Sequence, residues 1–376
     1  MKIAVFGAGM VGRTIAEDLS VIYAVTSFDR DEINLSLLKS RADVDTQIAD
    51  LQNYPGYMEM LRSFDLVVSA VPGFMGYNTL KAIISSGKNV VDISFFPEDG
   101  LDLDSLAKKN NVTAIIDCGV APGMSNLILG RYNEIMKIDS FECLVGGLPK
   151  LRKKPFEYKA PFSPIDVIEE YTRPARYVEN GHLITKPALS DSELIHFDEA
   201  GTLESFNTDG LRSILFTMKH IPNLKEKTLR YPGHIDLIKS LQQAGFFDEG
   251  LVEVKGQVFR PLDFTSSILF KQWKLSPHDA EFTIMRINMD GEIDGKQVKV
   301  EYSLYDENDT ATQTSSMSRT TAFTCAAVVN MINNELFNEK GVFPPELVGK
   351  SEECFNYIIQ YLYERNVIYK KSTVTV

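Results

Sequence analysis

The first twelve residues constrain the fold more than any other stretch of the chain. Lys2-Ile3-Ala4-Val5-Phe6 is an apolar run, and Gly7-Ala8-Gly9-Met10-Val11-Gly12 follows it directly as GxGxxG. A helical pattern, VGRTIAEDLS, opens within the glycines. Gly7 allows a tight turn, Gly9 lets the backbone approach a pyrophosphate, and Gly12 lets the helix pack close to the strand. The anion then meets the free N–H groups and positive dipole end of the helix. The same residues would also make a tight turn without a ligand, so the pattern around them has to decide.

Apolar runs recur at YAVTSFD, TQIAD, FDLVVSAVP, KNVVDIS and NVTAIID, with helix-like segments between most of them. Near-continuous apolar strands separated by helices mark a parallel sheet covered on both faces. The expectation is an α/β fold whose residues 1–123 form a Rossmann domain with a doubly wound parallel sheet. After Gly123 the pattern changes. IDSFECLVGGLP reads as a strand ending in a turn, and the stretch from Pro149 to Pro174 reads as long and irregular. From about Leu183 to Asp306 the reading is mostly strands, with MDGEIDG as the turn of an antiparallel hairpin. Trp273 and the aromatic residues from Phe259 to Phe270 are assigned to the core of that β region. TTAFTCAAVVNMINNELF and SEECFNYIIQYLYERN return to helical spacing. The second of these is expected to lay its apolar face on the Rossmann unit.

Length and charge narrow the function classes. A chain of 376 residues suits two domains, each able to bury its own core. A formal charge of −12 opposes a nucleic-acid or anionic-membrane partner. No run approaches the ~18 apolar residues that cross a bilayer, and MKIAVFGAGMVG lacks the pattern of a signal peptide. Cys118, Cys143, Cys325 and Cys354 are scattered, which suggests neither a zinc site nor a disulfide framework. A cytoplasmic protein with a small-molecule substrate and no metal is expected.

Further cofactor contacts follow from position. Asp29 ends the second strand, where a carboxylate accepts hydrogen bonds from the adenine-ribose hydroxyls and repels a 2′-phosphate. NAD is therefore the expected cofactor, although Arg30 beside it keeps NADP possible. Asp50, ending the third strand, either lies near the adenine or caps a helix. Ala70-Val71-Pro72 closes the fourth strand at the carboxyl edge of the sheet, where ligands bind.

Asp117-Cys118-Gly119-Val120-Ala121-Pro122-Gly123-Met124-Ser125-Asn126 resembles the saccharopine dehydrogenase family, which places a Gly-x-x-Pro-Gly turn beside the nicotinamide. The likeness continues in Gly146-Gly147-Leu148-Pro149 and in Tyr158-Lys159-Ala160-Pro161-Phe162-Ser163-Pro164. It recurs in Thr228-Leu229-Arg230-Tyr231-Pro232-Gly233-His234 and Gly341-Val342-Phe343-Pro344-Pro345-Glu346. Gly119, Val120 and Pro122 are thereby implied at the cofactor. The resemblance also implies that residues 320–376 complete the Rossmann domain. An α/β domain, 124–319, with a mostly antiparallel sheet would then bind substrate and form a homodimer or dimer of dimers. Within the family, the RYPGH form and the SMSRTT ending look most like the lysine 6-dehydrogenase branch. Saccharopine reductases carry an arginine upstream of TLRY, and Thr208 aligns at that place.

The implied reaction is NAD-dependent oxidative deamination of the side-chain amine of L-lysine, or a close diamino acid, to the semialdehyde plus ammonia. Its alternatives are saccharopine or carboxynorspermidine formation and, in another class, a nucleotide-binding regulator without turnover. A carbon gives up hydride when an attached nitrogen supplies its lone pair. At pH 7 an amine of pKa ~10.4 is neutral in about one molecule in 2,500, a handicap of roughly 4.6 kcal/mol, so a base or desolvation is needed. Asp117, at the carboxyl edge, is the first candidate base, with helix capping as its structural alternative; Cys118 beside it is read as a packed thiol. Arg230, Tyr231 and Thr228 are expected to grip the α-carboxylate, Arg230 through a two-bond fork, unless it forms a structural ion pair. His234 is either a proton shuttle or a hydrogen-bonding partner. Asp209 pairs with the α-ammonium or caps a turn, with Arg212 close by. Ser94 touches substrate or cofactor.

Overall fold

A computed structural model describes residues 1–162, 164–276 and 278–375; Ser163 of the motif at 158–164 lies outside them. β1 (Lys2–Phe6), β2 (Ala24–Asp29), β3 (Asp45–Ile48), β4 (Leu66–Ser69), β5 (Asn89–Asp92) and β6 (Thr113–Ile115) lie in one parallel sheet in the order 6-5-4-1-2-3. Gly341–Phe343 adds a seventh parallel strand beside β6, with Val342 opposite Ala114. The doubly wound sheet is thus present. All four residues of β4 are buried, as a strand covered on both faces requires. The helix Met10–Ser20 turns Ile15, Ala16 and Leu19 inward, and the helix Ser316–Asn333 packs on it.

β7 (Lys137–Pro149) is the centre of the second, mostly antiparallel sheet. It lies between Leu224–Arg230, which runs parallel to it, and Glu281–Ile293, which runs antiparallel. Lys296–Glu307 and Tyr369–Thr375 extend one side, and Gly201–Asn207 and Glu193–Phe197 the other. The segment after residue 320 therefore supplies strands to both sheets.

Several sequence expectations are corrected here. The stretch after Pro149 contains a helix, Pro164–Thr172, because Val167, Ile168 and Tyr171 recur at helical spacing and are buried. The region from Leu183 to Asp306 also holds helices at His234–Gln243 and Pro261–Trp273. Trp273 is fully buried at the end of the latter, whereas Phe264 on the same helix is 56% exposed. Trp273 thus does enter the core of the second sheet, with Leu144, Phe206, Leu229 and Phe282, but from a helix rather than a strand, and Phe264 on that helix faces solvent. In the hairpin, MDGEI continues the strand with an irregularity at Asp290/Gly291. Only Asp294 (φ 50°) and Gly295 (φ 77°) form the turn, the two positive φ angles of a tight two-residue connection. SEECFNYIIQYLYERN forms the helix Glu352–Tyr363, tied to Met10–Ser20 through Tyr361 Oη and Arg365 Nε, which both donate to Asp18. Among the described residues no helix is long and apolar enough to cross a membrane, and no cluster of three metal-ligating side chains occurs.

Candidate active site

A cavity of about 1020 Å³ runs from the glycine loop, across the carboxyl ends of β1, β2 and β4, to β7 and the strand Leu224–Arg230. The glycines show what it is for. A Cβ on Gly12 would stand 2.1 Å from Gly7 O, and one on Gly7 (φ 99°) 2.5 Å from Ala70 O, so the protein's own packing demands both. A Cβ on Gly9 would meet nothing within 4 Å. The fold does not need glycine there, and its missing side chain leaves room for a ligand to approach the backbone. Gly9 also caps Met10–Ser20 without any side-chain bond, leaving the first-turn N–H groups of Met10, Val11 and Gly12 to an anion.

Asp29 accepts hydrogen bonds from Ala8 N on Oδ2 (2.7 Å) and from Asp31 N on Oδ1 (2.9 Å). Each oxygen keeps a lone pair for a ribose hydroxyl. Arg30 is exposed at the cavity edge. Asp50 also lines the cavity and accepts from Gln52 N at 2.9 Å, so it closes its own turn rather than capping a helix. Ala70, Val71 and Pro72 line the wall beyond β4, and Gly119, Val120 and Pro122 line it beyond β6. In that second turn a Cβ on Gly123 (φ 140°) would fall 1.9 Å from Gly119 O, which explains the paired glycines of the motif. These residues fit a dinucleotide: Gly7 to Gly12 would hold its pyrophosphate, and Asp29 its adenine ribose.

The other end of the cavity is built by β7, the strand Leu224–Arg230 and the loops facing them. Period-two alternation turns Glu226, Thr228 and Arg230 to one face, and all three line the cavity. Arg230 is buried. Its Nε donates to Tyr171 Oη (3.1 Å), Nη1 to Leu229 O (3.0 Å), and Nη2 to Tyr158 Oη (3.4 Å) and Glu170 Oε2 (2.7 Å). Four of its five N–H groups are committed, so the two-bond fork expected for a carboxylate is reduced to one uncommitted N–H on Nη1. The ion-pair reading and the cavity-wall reading both apply, since Glu170 lines the cavity too.

The other expected substrate residues divide. Asp117 is buried in the left-handed region (φ 57°) and reaches the cavity. Its Oδ1 accepts from Arg212 Nε at 2.9 Å, and its Oδ2 is buried without a hydrogen-bond partner. Arg212 itself does not line the cavity: it lies over the Phe95 and Phe96 rings and donates to Phe96 O. Ser94 does line it, with its N and Oγ both donating to Asp92, whose carboxyl burial pushes up to about 7. Asp209 neither caps a turn nor stands open, because Arg176 holds both its oxygens at 2.9 Å. Tyr231 is turned away, its hydroxyl donating to Pro149 O and its ring stacked under Arg152. His234 is buried off the cavity. Its Nδ1 donates to Phe156 O (2.9 Å), so Nε2 accepts from Tyr171 Oη (2.9 Å). Burial, with Arg230 nearby, pushes it down to about 3. A neutral imidazole buried off the cavity, with its one proton on Phe156 O and its lone pair on Tyr171 Oη, is placed as a hydrogen-bonding partner rather than as a proton shuttle. Cys118 is a packed thiol that burial pushes far above its usual range.

Two acidic residues escaped sequence reasoning. Glu170 sits in the stretch read as irregular, and no helix was available there to orient it. Glu226 was legible in principle: it stands two and four residues before Thr228 and Arg230 on a strand. Its Oε2 accepts from Thr208 Oγ1 at 2.8 Å, and Thr208 Oγ1 lies 2.9 Å from Thr228 Oγ1.

Comparisons with known proteins agree with this architecture. A family model described as "Saccharopine dehydrogenase NADP binding domain" matches residues 3–115, and one described as "Saccharopine dehydrogenase C-terminal domain" matches residues 119–368. Mitochondrial alpha-aminoadipic semialdehyde synthase of Rattus norvegicus is 24% identical over 263 residues, covering 66% of this chain and 28% of that protein. Saccharopine dehydrogenase (NADP(+), L-glutamate-forming) of Schizosaccharomyces pombe is 26% identical over 212 residues, covering 53% and 47%. The matches thus span less than half the length of these relatives. The structure of saccharopine dehydrogenase (L-Glu forming) from Saccharomyces cerevisiae superposes with a TM-score of 0.81 over 99% of both chains at 19% identity, a likeness of fold.

Proposed function

This chain belongs to the saccharopine dehydrogenase family, whose members are NAD(P)-dependent oxidoreductases acting on CH–NH groups, and from that premise we propose that it oxidises the side-chain amine of L-lysine or a close diamino acid. The products are the semialdehyde and ammonia. The cofactor accepts the hydride when bound, and we propose NAD in that role on the strength of Asp29.

One observation carries the choice of substrate: the charge inventory of the cavity wall. Arg173 and Arg230 are each committed to a glutamate, Arg230 keeps a single N–H to offer, and Lys274 stands exposed on the same wall. Asp117, Glu170, Asp209 and Glu226 supply negative charge or acceptors around the same space. Such a wall suits one carboxylate and two nitrogens. The Arg230–Glu170 pair matches the zwitterionic end of an amino acid, carboxylate to Nη1 and ammonium to Glu170. Saccharopine, with three carboxylates, asks for more cations than the one open N–H of Arg230 and the exposed Lys274 offer. The names of the relatives favour saccharopine as the second reading. A substrate domain, 124–319, presenting the outer face of its sheet to a second copy is proposed as the basis of a dimer.

Following nicotinamide absorbance with L-lysine, then saccharopine, then aldehyde–amine pairs with reduced cofactor tests the reading. L-lysine is expected to give the highest kcat/KM. A tenfold or greater advantage for saccharopine would replace the first reading with the second.

A further inference from the structure

Asp117, Glu170, Asp209 and Glu226 are bonded in two different ways. Asp117 gives an oxygen to Arg212, Glu170 one to Arg230, and Asp209 both to Arg176. An arginine-bound carboxylate that takes up a proton gives up a charge-assisted bond to do so. Glu226 has no arginine on it: its Oε2 accepts from Thr208 Oγ1, which in turn meets Thr228 Oγ1. All three line the cavity. Gly210 makes the room, since a Cβ there would stand 2.1 Å from Glu226 Oε2. The result is a buried carboxyl in the cavity wall that carries two hydroxyls in series, each able to donate one proton and accept another.

We propose that Glu226 exchanges a proton with the reacting nitrogen of the substrate, with Thr228 and Thr208 as the relay. The proposal rests on the amine-oxidation reading above. In the oxidative direction the ammonium proton passes to Thr228 Oγ1, the Thr228 proton to Thr208 Oγ1, and the Thr208 proton to Glu226 Oε2. The nitrogen recovers its lone pair and Glu226 becomes neutral. Overall, the alkylammonium, oxidised cofactor and one water give the aldehyde, ammonium, reduced cofactor and one proton.

The surroundings of Glu226 support this role. It is faced by Glu170 from the helix Pro164–Thr172, by Asp209 and Thr208 from the segment after Gly201–Asn207, by Cys143 of β7, and by Arg230 on its own strand. Burial pushes its carboxyl up to about 8, with Glu170 and Asp209 adding to the rise against the bonds from Thr208 and Gly210 N. Compared with an ordinary glutamate, that narrows the mismatch with an amine of pKa ~10.4 by between about three and four powers of ten. The empty site thus holds Glu226 protonated at neutral pH. An ammonium entering beside it expels that proton to water, whether the shared proton then rests on nitrogen or on Oε2.

The test is calorimetric binding of L-lysine to the protein–NADH complex at pH 7, in buffers of different ionisation enthalpy. About one proton released per lysine bound is expected for wild type, and none for Glu226→Gln, which mimics the neutral form and so keeps the fold. Infrared difference spectra of the lysine-free complex should show a protonated-carboxyl band that titrates near pH 8 and is missing in Glu226→Gln. In turnover, Glu226→Gln should lose ~10²–10⁴ in kcat. Gly210→Ala, which leaves the carboxyl chemically intact but displaces it, should lose at least tenfold. Lysine turnover within threefold of wild type in Glu226→Gln, or no carboxyl titration near pH 8, would overturn the role of Glu226 and leave the amine-oxidation reading standing. Failure of every amine substrate in the absorbance screen would overturn that reading, and this proposal with it.

Discussion

Replacing Asp29 with asparagine tests the cofactor assignment at its physical root. In wild type the Asp29 carboxylate is pinned by Ala8 N and Asp31 N at the end of β2, so it cannot swing away from a 2′-phosphate. Two unit charges about 4 Å apart repel by roughly 1 kcal/mol in bulk water and roughly 4 kcal/mol at the effective dielectric of a protein surface. A phosphate carries between one and two charges near neutrality. A preference for NAD over NADP of ~10- to 10³-fold in kcat/KM is therefore expected, and Asp29→Asn should narrow it at least tenfold. The substitution has a structural cost. Asparagine has one acceptor oxygen, so its amide NH₂ must face one of the two backbone donors, at about 1–2 kcal/mol of folding stability. The assay is kcat/KM with each cofactor, joined to fluorescence titration of NADH and NADPH and to urea unfolding. A wild-type preference for NADP of tenfold or more, or an unchanged ratio in the variant, would refute the reasoning and assign Arg30 the deciding role.

The remaining predictions follow from the same geometry. Arg230→Lys keeps a charge opposite Glu170 but loses the bonds to Tyr171, Leu229 and Tyr158. It should cost about 2–3 kcal/mol in kcat/KM for L-lysine, and undiminished turnover at unchanged urea stability would make the arginine purely structural. Gly12→Ala places a Cβ 2.1 Å from Gly7 O and should weaken NADH binding at least a hundredfold by fluorescence titration; near-normal binding would mean that the loop yields. His234 is held neutral, well below the usual histidine pKa of ~6.5. Its contribution to stability is therefore full above pH 6.5 and is lost as pH falls toward about 3. Urea unfolding of His234→Gln should lose less stability than wild type between pH 6.5 and 4, and parallel curves would contradict the burial argument.

Some of this was readable from residues alone because the signal is local. Gly7, Gly9 and Gly12 mark a strand-to-helix turn by spacing, and the Leu-Val-Val run of β4 announces a sheet covered on both sides. The GxxPG run carries its own steric reason, since Gly119 and Gly123 touch within one turn. The cofactor half of the cavity follows from such elements, for the carboxyl ends of parallel strands all point the same way. The helix Pro164–Thr172 was missed because prolines and aromatics flank it and the burial of Val167, Ile168 and Tyr171 depends on partners far along the chain.

The half of the cavity around Arg230 could be decided only in three dimensions. One-dimensional reading places Arg230, Tyr231 and His234 together in a single motif. Strand alternation and the following turn then send Arg230 into the cavity, Tyr231 toward Pro149 and His234 into the core. Arg230 looks like an open carboxylate clamp until Glu170, sixty residues earlier, takes Nη2. Asp209 looks free until Arg176 holds it, and Asp117 until Arg212 does. Composition records how many charges a chain carries. Which of them are already neutralised depends on pairings between segments distant in sequence, and in a buried site those pairings decide which groups remain to meet a ligand.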